Sequence, residues 1–432
     1  MKKRIGQRNM GWIKRLFNKV LILMLIFLIT FLLLEVVLRL INLSTTATSP
    51  LVSDRSTDYR IPPRARIYPT GPKLDWDPLH GYANLFGHRD YPYREDKSPD
   101  TLRILMLGDS FLYGSDSFHL HFAKLFEDRL LRRFPERSIE VLNSALWGWT
   151  TRHEIGYYRQ YGRHLDPDIV ILAYYVGNDT SANQPWAKDF LFLGIPEPNY
   201  FEASAFWNTL RRYSYVVRHL AILIAYYQAA DDYPSEEGSD VKPDMHLLTP
   251  ERARKITENF DRRSVIMDEK ALDQLSPGIS TSPPFSEPMW HFIQKRMLVN
   301  YEKTQSSYMR SAWNHTEQLL KELKADVLKD NASLFVLIIP AEIQIDDGLK
   351  EWTLKKSSRS QAEFDFDLPQ KRLTHILSRL DIPYLDLLGP FRSTPADDTL
   401  YTHRETHWNL KGMRLAAEKL EKALLKTTKI PP

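Results

Sequence analysis

Three short apolar runs each break off at a small or polar corner, and this repeated pattern constrains the fold more than any other feature. Residues 103–107 run into Gly108, Asp109 and Ser110. Residues 139–142 lead to a segment carrying Gly148, and residues 168–176 end on Gly177, Asn178 and Asp179. Short runs of this kind, mainly apolar, suit strands buried on both faces of a sheet. Residues 334–339, closed by Pro340, form a fourth run and residues 383–387 a weaker fifth. Helical spacing connects them: Leu120, Phe122, Leu125, Phe126, Leu130 and Leu131 share one face, and 361–380 and 410–425 are amphipathic. Buried strands alternating with helices predict a three-layer α/β domain with a mainly parallel sheet of about five strands.

The chain between the third and fourth runs is too long for a plain crossover, so residues 181–305 read as an insertion that covers the site. It contains an apolar helical stretch at 213–227, where Arg218 and His219 argue against a membrane span, and then a polar, Pro-containing section at 231–288.

At the other end, residues 20–34 carry no charge and the apolar character continues to Ile41, 22 residues from Val20. That length crosses a hydrocarbon core of about 30 Å. Lys2, Lys3, Arg4, Arg8, Lys14, Arg15 and Lys19 precede the run without a single acid, which places the N-terminus in the cytoplasm by the positive-inside rule. Glu35 and Arg39 are spaced to pair on one helix face. A cleaved signal peptide is the competing reading, but the run is long for one and the segment after it offers a weak cleavage site. The expected organisation is a basic segment (1–19), a transmembrane helix (20–41), a linker and approach segment (42–100) and a catalytic domain (101–432). The expected location is the bacterial cytoplasmic (inner) membrane, single-pass, with the domain periplasmic.

Charge and cysteine content exclude several functions. The formal net charge of +4 comes from the N-terminal cluster; without those seven residues, 51 basic face 54 acidic residues. A bulk electrostatic case for nucleic-acid binding fails. With no cysteine in the chain, disulfides, zinc–thiolate sites, iron–sulfur clusters and a thiol nucleophile are ruled out. No cofactor or metal is expected.

Ser110 follows a strand and opens a helix, where ligands of open α/β sheets bind and where backbone N–H groups favour negative charge. Gly148, Asn178 and His407 each fall on the same side of their own elements, His407 just before the last helix. Together the segments GDSFLYG (108–114), NSALWGWTT (143–151), VGNDT (176–180) and ETHWN (405–409) resemble the four blocks of the SGNH hydrolase superfamily, the GDSL-type esterases and lipases. The subgroup with a membrane helix, related to alginate O-acetyltransferase proteins, fits best. The resemblance covers roughly 100–180 and 330–425, and the fold it implies is flavodoxin-like.

The resemblance implies Ser110 as nucleophile and His407 as its general base. It implies an oxyanion hole from the Ser110 amide, the Gly148 amide and the Asn178 side chain. One departure stands out: the family's Asp three residues before the histidine is Arg404 here. Glu405 is the nearest carboxylate and the candidate triad acid, with Asp397 and Asp398 in reserve. Asp109 and Asp179 are expected to fix loops through backbone hydrogen bonds. Trp147, Trp149 and Trp408 flank these positions, and buried packing explains them more simply than sugar stacking. The functions implied are a membrane-anchored esterase of acyl esters, acetyl among them, or an O-acyltransferase modifying cell-surface polysaccharide, or an inactive SGNH-like scaffold. The partners implied are the bilayer and an ester or carbohydrate substrate.

Overall fold

The computed structural model describes residues 2–46, 51–67, 78–114, 118–185, 247–275, 301–395, 399–402 and 405–427, with short pieces at 190–192, 195–197, 210, 213–220, 290, 293 and 297–300. The strands are β1 Val52–Asp54, β2 Asp58–Arg60, β3 Thr101–Gly108, β4 Ser138–Ala145, β5 Ile169–Tyr175, β6 Phe190–Phe192, β7 Ile195–Glu197, β8 Ser333–Ile339 and β9 Tyr384–Asp386. The helices that frame the site are α1 Lys2–Thr46, α2 Ser110–Tyr113, α3 Phe122–Arg133, α4 Thr151–Gln160, α5 Asp179–Ala182, α6 Ser307–Lys329, α7 Leu368–Arg379 and α8 Leu410–Thr427.

Five strands form one parallel sheet in the order β4-β3-β5-β8-β9, as the apolar runs predict. Ile104 to Leu107, Val170 to Tyr174 and Phe335 to Ile339 are fully buried, which is why those runs show no alternation. The chain moves outward from β3 to β4 and then returns to place β5 on the other side of β3. Right-handed crossovers therefore put α3 and α4 on opposite faces. α8 joins α3, where Arg133 pairs with Glu421 at 3.3 Å, and α6 joins α4, where Arg159 meets Glu322 and Asp326. The strand order reverses between β3 and β5, and Ser110 follows β3 at the carboxyl edge of the sheet, where open α/β sheets bind ligands.

The segment ahead of β3, expected as linker and approach, contributes to the core. β1 and β2 form a small antiparallel pair, and Leu51, Tyr59, Ile61, Ala65, Tyr91 and Tyr93 pack into the main apolar cluster. Aromatic residues spaced irregularly through polar sequence carry no strand or helix period, so their burial is invisible to pattern reading. Much of the insertion at 181–305 falls outside the described residues, including 221–227 of the helical stretch at 213–227.

Among the described residues one helix, over Arg15–Ile41, is long and apolar enough to cross a membrane, and none of it is buried. Glu35 and Arg39 pair on it at 2.8 Å, as their spacing predicts. Glu35 has further partners: its carboxylate accepts from Ser214 Oγ at 2.9 Å and from the backbone N–H of Tyr215 and Val216 at 2.9 and 3.0 Å.

Candidate active site

Ser110 is the first residue of α2, and the Asp109 side chain holds the turn by accepting the Phe111 N–H at 2.9 Å. Ser110 Oγ lies 2.8 Å from His407 Nε2, and His407 Nδ1 lies 2.9 Å from Glu405 Oε1. With the proton on Nδ1, imidazole donates to Glu405 and accepts from Ser110, the polarity a general base needs. Ser110 and His407 are 297 residues apart in sequence.

The loop carrying His407 is fixed by its neighbours. Trp408 is buried, donates its indole N–H to Phe111 O at 3.1 Å and packs against Phe111 and Phe122. Asn409 donates to Thr399 O and Tyr401 O and accepts the Gly412 N–H, tying loop to helix. Gly412 has no room for a side chain: a Cβ there falls 2.3 Å from Leu400 O. Thr402 N donates to His407 O at 2.8 Å. Thr406, between Glu405 and His407, adopts φ 73°, a left-handed conformation that costs a threonine energy and turns both flanking side chains toward the serine. His403, Arg404, Asp397 and Asp398 lie outside the described residues.

Gly148 also sits at positive φ, 77°, and a Cβ would fall 2.9 Å from the Tyr59 hydroxyl. That hydroxyl donates to Trp147 O at 3.2 Å, so β2 buttresses the turn from below. Tyr59 went unrecognised at sequence level because it lies in the presumed linker. Gly148 is exposed, and neither its amide nor that of Ser110 donates to any described group. The Asn178 side chain likewise bonds no described residue; its Oδ1 is buried without a partner. β4, β3 and β5 are adjacent and in parallel register, so the three groups follow neighbouring strand ends at the carboxyl edge of the sheet. Of the three tryptophans, Trp149 and Trp408 are buried, whereas Trp147 is exposed at the rim.

A buried acidic group lies behind this edge. Asp109 and Asp179 hold their loops as expected, Asp179 accepting Tyr175 N–H at 2.9 Å. Glu154, on α4, is a third member that sequence gave no signal for, because one acid in an amphipathic helix looks solvent-facing. Burial pushes Asp109 up to about 6, with the Phe111 N–H and the His407 charge opposing it. Burial, reinforced by the neighbouring carboxyls, drives Asp179 and Glu154 well above the usual carboxylate range. Charging Asp179 and Glu154 in this environment is costly.

His407 is pulled down by burial, but the hydrogen bond and charge of Glu405, with the charge of Asp109, more than offset this and raise it above 6.5. A base must be neutral to accept a proton, so turnover is expected to rise with pH through this elevated value. Glu405→Gln removes the main raising cause; the acid limb of kcat/KM against pH should then move to lower pH, with kcat down by roughly 10²-fold through lost orientation. An unmoved limb excludes Glu405 as the partner.

Serine, imidazole and carboxylate stand in line at the carboxyl edge of a parallel sheet, an arrangement that acyl chemistry requires. Residues 285–431 match the family model described as SGNH hydrolase-like domain, acetyltransferase AlgX. No curated protein matches the chain in sequence. Among solved structures, similarity extends to the acetyl xylan esterase AlAXEase (11% identity, 74% of this chain and 99% of that one, TM-score 0.37). It extends also to a catalytic mutant of Axe2, an acetylxylan esterase from Geobacillus stearothermophilus (9%, 77% and 96%, 0.36). A third is a lipase/acylhydrolase from Enterococcus faecalis (10%, 74% and 94%, 0.35).

Proposed function

We propose that the chain is a membrane-anchored, extracytoplasmic serine esterase of acyl esters. The observation that carries this reading is the unbroken contact from Ser110 Oγ through His407 to Glu405 Oε1, at 2.8 and 2.9 Å. His407 Nε2 takes the Ser110 proton as Oγ bonds to the ester carbonyl carbon. The Ser110 and Gly148 amides and the Asn178 side chain receive the oxyanion. Collapse breaks the bond to the alcohol, which leaves with the proton from His407. Water then attacks the acyl-serine, His407 again moving the proton, and the carboxylic acid is released. Each oxyanion donor contributes about 10²- to 10³-fold.

A second reading is O-acyl transfer, in which a sugar hydroxyl replaces water in the second half-reaction; the match to an acetyltransferase family model favours it. The rim suits a polar acceptor. Trp147 offers an exposed indole, and a cavity of about 580 Å³ beside the His407 loop is lined by Glu342, Asp346, Arg392 and Tyr401. An inactive scaffold has less support, because it rested on the missing family Asp and Glu405 stands within hydrogen-bond reach of His407. The anchor is the N-terminal helix over Arg15–Ile41, with the basic cluster cytoplasmic.

Exposure of the detergent-solubilised chain to a fluorophosphonate probe should attach one label, on Ser110, read by peptide mass spectrometry. Labelling elsewhere, or none, removes the assignment. Release of acetate with and without added oligosaccharide then separates hydrolysis from transfer.

A further inference from the structure

We infer that residues 213–220 of the insertion form a second membrane-contacting element, seated in the headgroup boundary and held there by Glu35 of the membrane helix. The inference rests on the reading of α1 as a membrane span.

Depth is the first argument. Lys19 and Arg39 bound the apolar stretch of α1 and are 20 residues apart, which in a helix rising about 1.5 Å per residue is about 30 Å. That matches one hydrocarbon core, with Arg39 at the outer border. Glu35 lies one turn further in, about 6 Å below it. A carboxylate at this depth is costly unless paired. Glu35 is satisfied by four donors: Arg39, Ser214 Oγ and the N–H groups of Tyr215 and Val216. Three of the four come from the insertion. Arg39 adds two contacts of its own, donating to Tyr213 O at 2.8 Å and lying 4.8 Å over the Tyr215 ring. Groups within 3 Å of Glu35 share its depth, so the backbone at 214–216 reaches the bilayer boundary.

Surface chemistry is the second argument. Beyond α1, the large hydrophobic side chains exposed among the described residues are Trp147, Tyr213, Leu220, Leu247 and Leu328. Two of these five, Tyr213 and Leu220, lie on this short segment, at 66% and 54% exposure. Leaving them in water is unfavourable; at a lipid interface the tyrosine has an aqueous side for its hydroxyl and the leucine an apolar one. Val216 and Arg218 are buried instead. The segment thereby fixes the catalytic domain against the bilayer at a second point, rather than leaving it on a single flexible tether.

The absence of cysteine from the chain allows a direct test. Leu220→Cys, Leu28→Cys and Leu328→Cys are each labelled with a nitrobenzoxadiazole maleimide in the full chain, reconstituted into phosphatidylcholine nanodiscs with or without doxyl-labelled lipid. The Leu28 probe, mid-span, should be quenched and the Leu328 probe, on α6, should not. The Leu220 probe is expected to show blue-shifted emission and quenching by the doxyl lipid. Adding Glu35→Leu, which keeps α1 apolar but removes the acceptor, should abolish both signals at position 220 while the Leu28 probe stays quenched. A water-like Leu220 probe beside a quenched Leu28 probe overturns the inference and leaves the anchor standing. Quenching at 220 that survives Glu35→Leu overturns the role of Glu35. If the Leu28 probe is itself unquenched, the anchor reading fails and this inference falls with it.

Discussion

Ser110→Ala is expected to lower kcat for acyl-ester hydrolysis by roughly 10⁴- to 10⁶-fold, and His407→Ala by a similar factor, with the double variant little worse than either. The physical reason is that the two groups act as one unit. A neutral hydroxyl is a weak nucleophile until its proton has an acceptor, and among the described residues the imidazole on Ser110 Oγ is that of His407, at 2.8 Å. Removing either partner removes the same step. What survives is whatever the proposed oxyanion donors contribute, since they would act on a water-derived oxyanion as well. The measurement is single-turnover release of acetate from an aryl acetate by the detergent-solubilised chain, corrected for the uncatalysed rate. Additive losses, or a Ser110→Ala variant with more than about one per cent of the original rate, would mean that another nucleophile carries the reaction.

Lys124→Met is expected to destabilise the folded domain by about 3–5 kcal/mol, the usual result of removing one member of a buried ion pair. The Lys124 ammonium is 1% exposed and contacts Asp90 at 2.8 Å, Glu127 at 3.2 Å, and Tyr93 Oη and Val141 O. Methionine fills similar space without the charge. Glu127 keeps Arg262 at 2.6 Å and the Val141 N–H. Asp90 keeps only backbone donors, from Tyr91 and Asn143. Burial already raises the Asp90 carboxyl above its ordinary value against the pull of Lys124, and loss of the ammonium raises it further. A folded-state value above the unfolded one reduces stability as pH climbs from the unfolded value to the folded one. The deficit should therefore be smallest at acid pH and grow toward neutrality, as read from denaturant midpoints across that range. Asp330→Asn, on the solvent-facing pair with Arg163, is the control and should shift the midpoint far less. Equal shifts would mean the buried cluster contributes no more than a surface pair. The cluster also bears on the site, because Asn143, held by Asp90, donates to Leu112 O just after Ser110.

The sheet was legible from sequence because a strand buried on both faces leaves a local mark. Residues 103–107, 139–142 and 168–176 identified β3, β4 and β5 to within a few residues at each end. The corners after them are equally local: a small residue at the end of a parallel strand, followed by a helix, puts Ser110, Gly148 and Asn178 on one edge by connectivity alone. The long apolar N-terminal helix and the Glu35–Arg39 pair follow from composition and a four-residue spacing.

Other features arise only when distant segments meet. Glu405 reaches His407 because Thr406 takes a left-handed turn that threonine seldom adopts. Tyr59 rises beneath Gly148 from a stretch that reads as linker. Glu154 joins two loop aspartates out of an ordinary-looking helix, and Lys124 finds its partners across three elements. Which of three tryptophans stays exposed is settled in the same way. Periodicity records which face of an element avoids water. It does not record what a side chain will touch there, because that depends on the burial, charge and backbone turns of residues tens to hundreds of positions away.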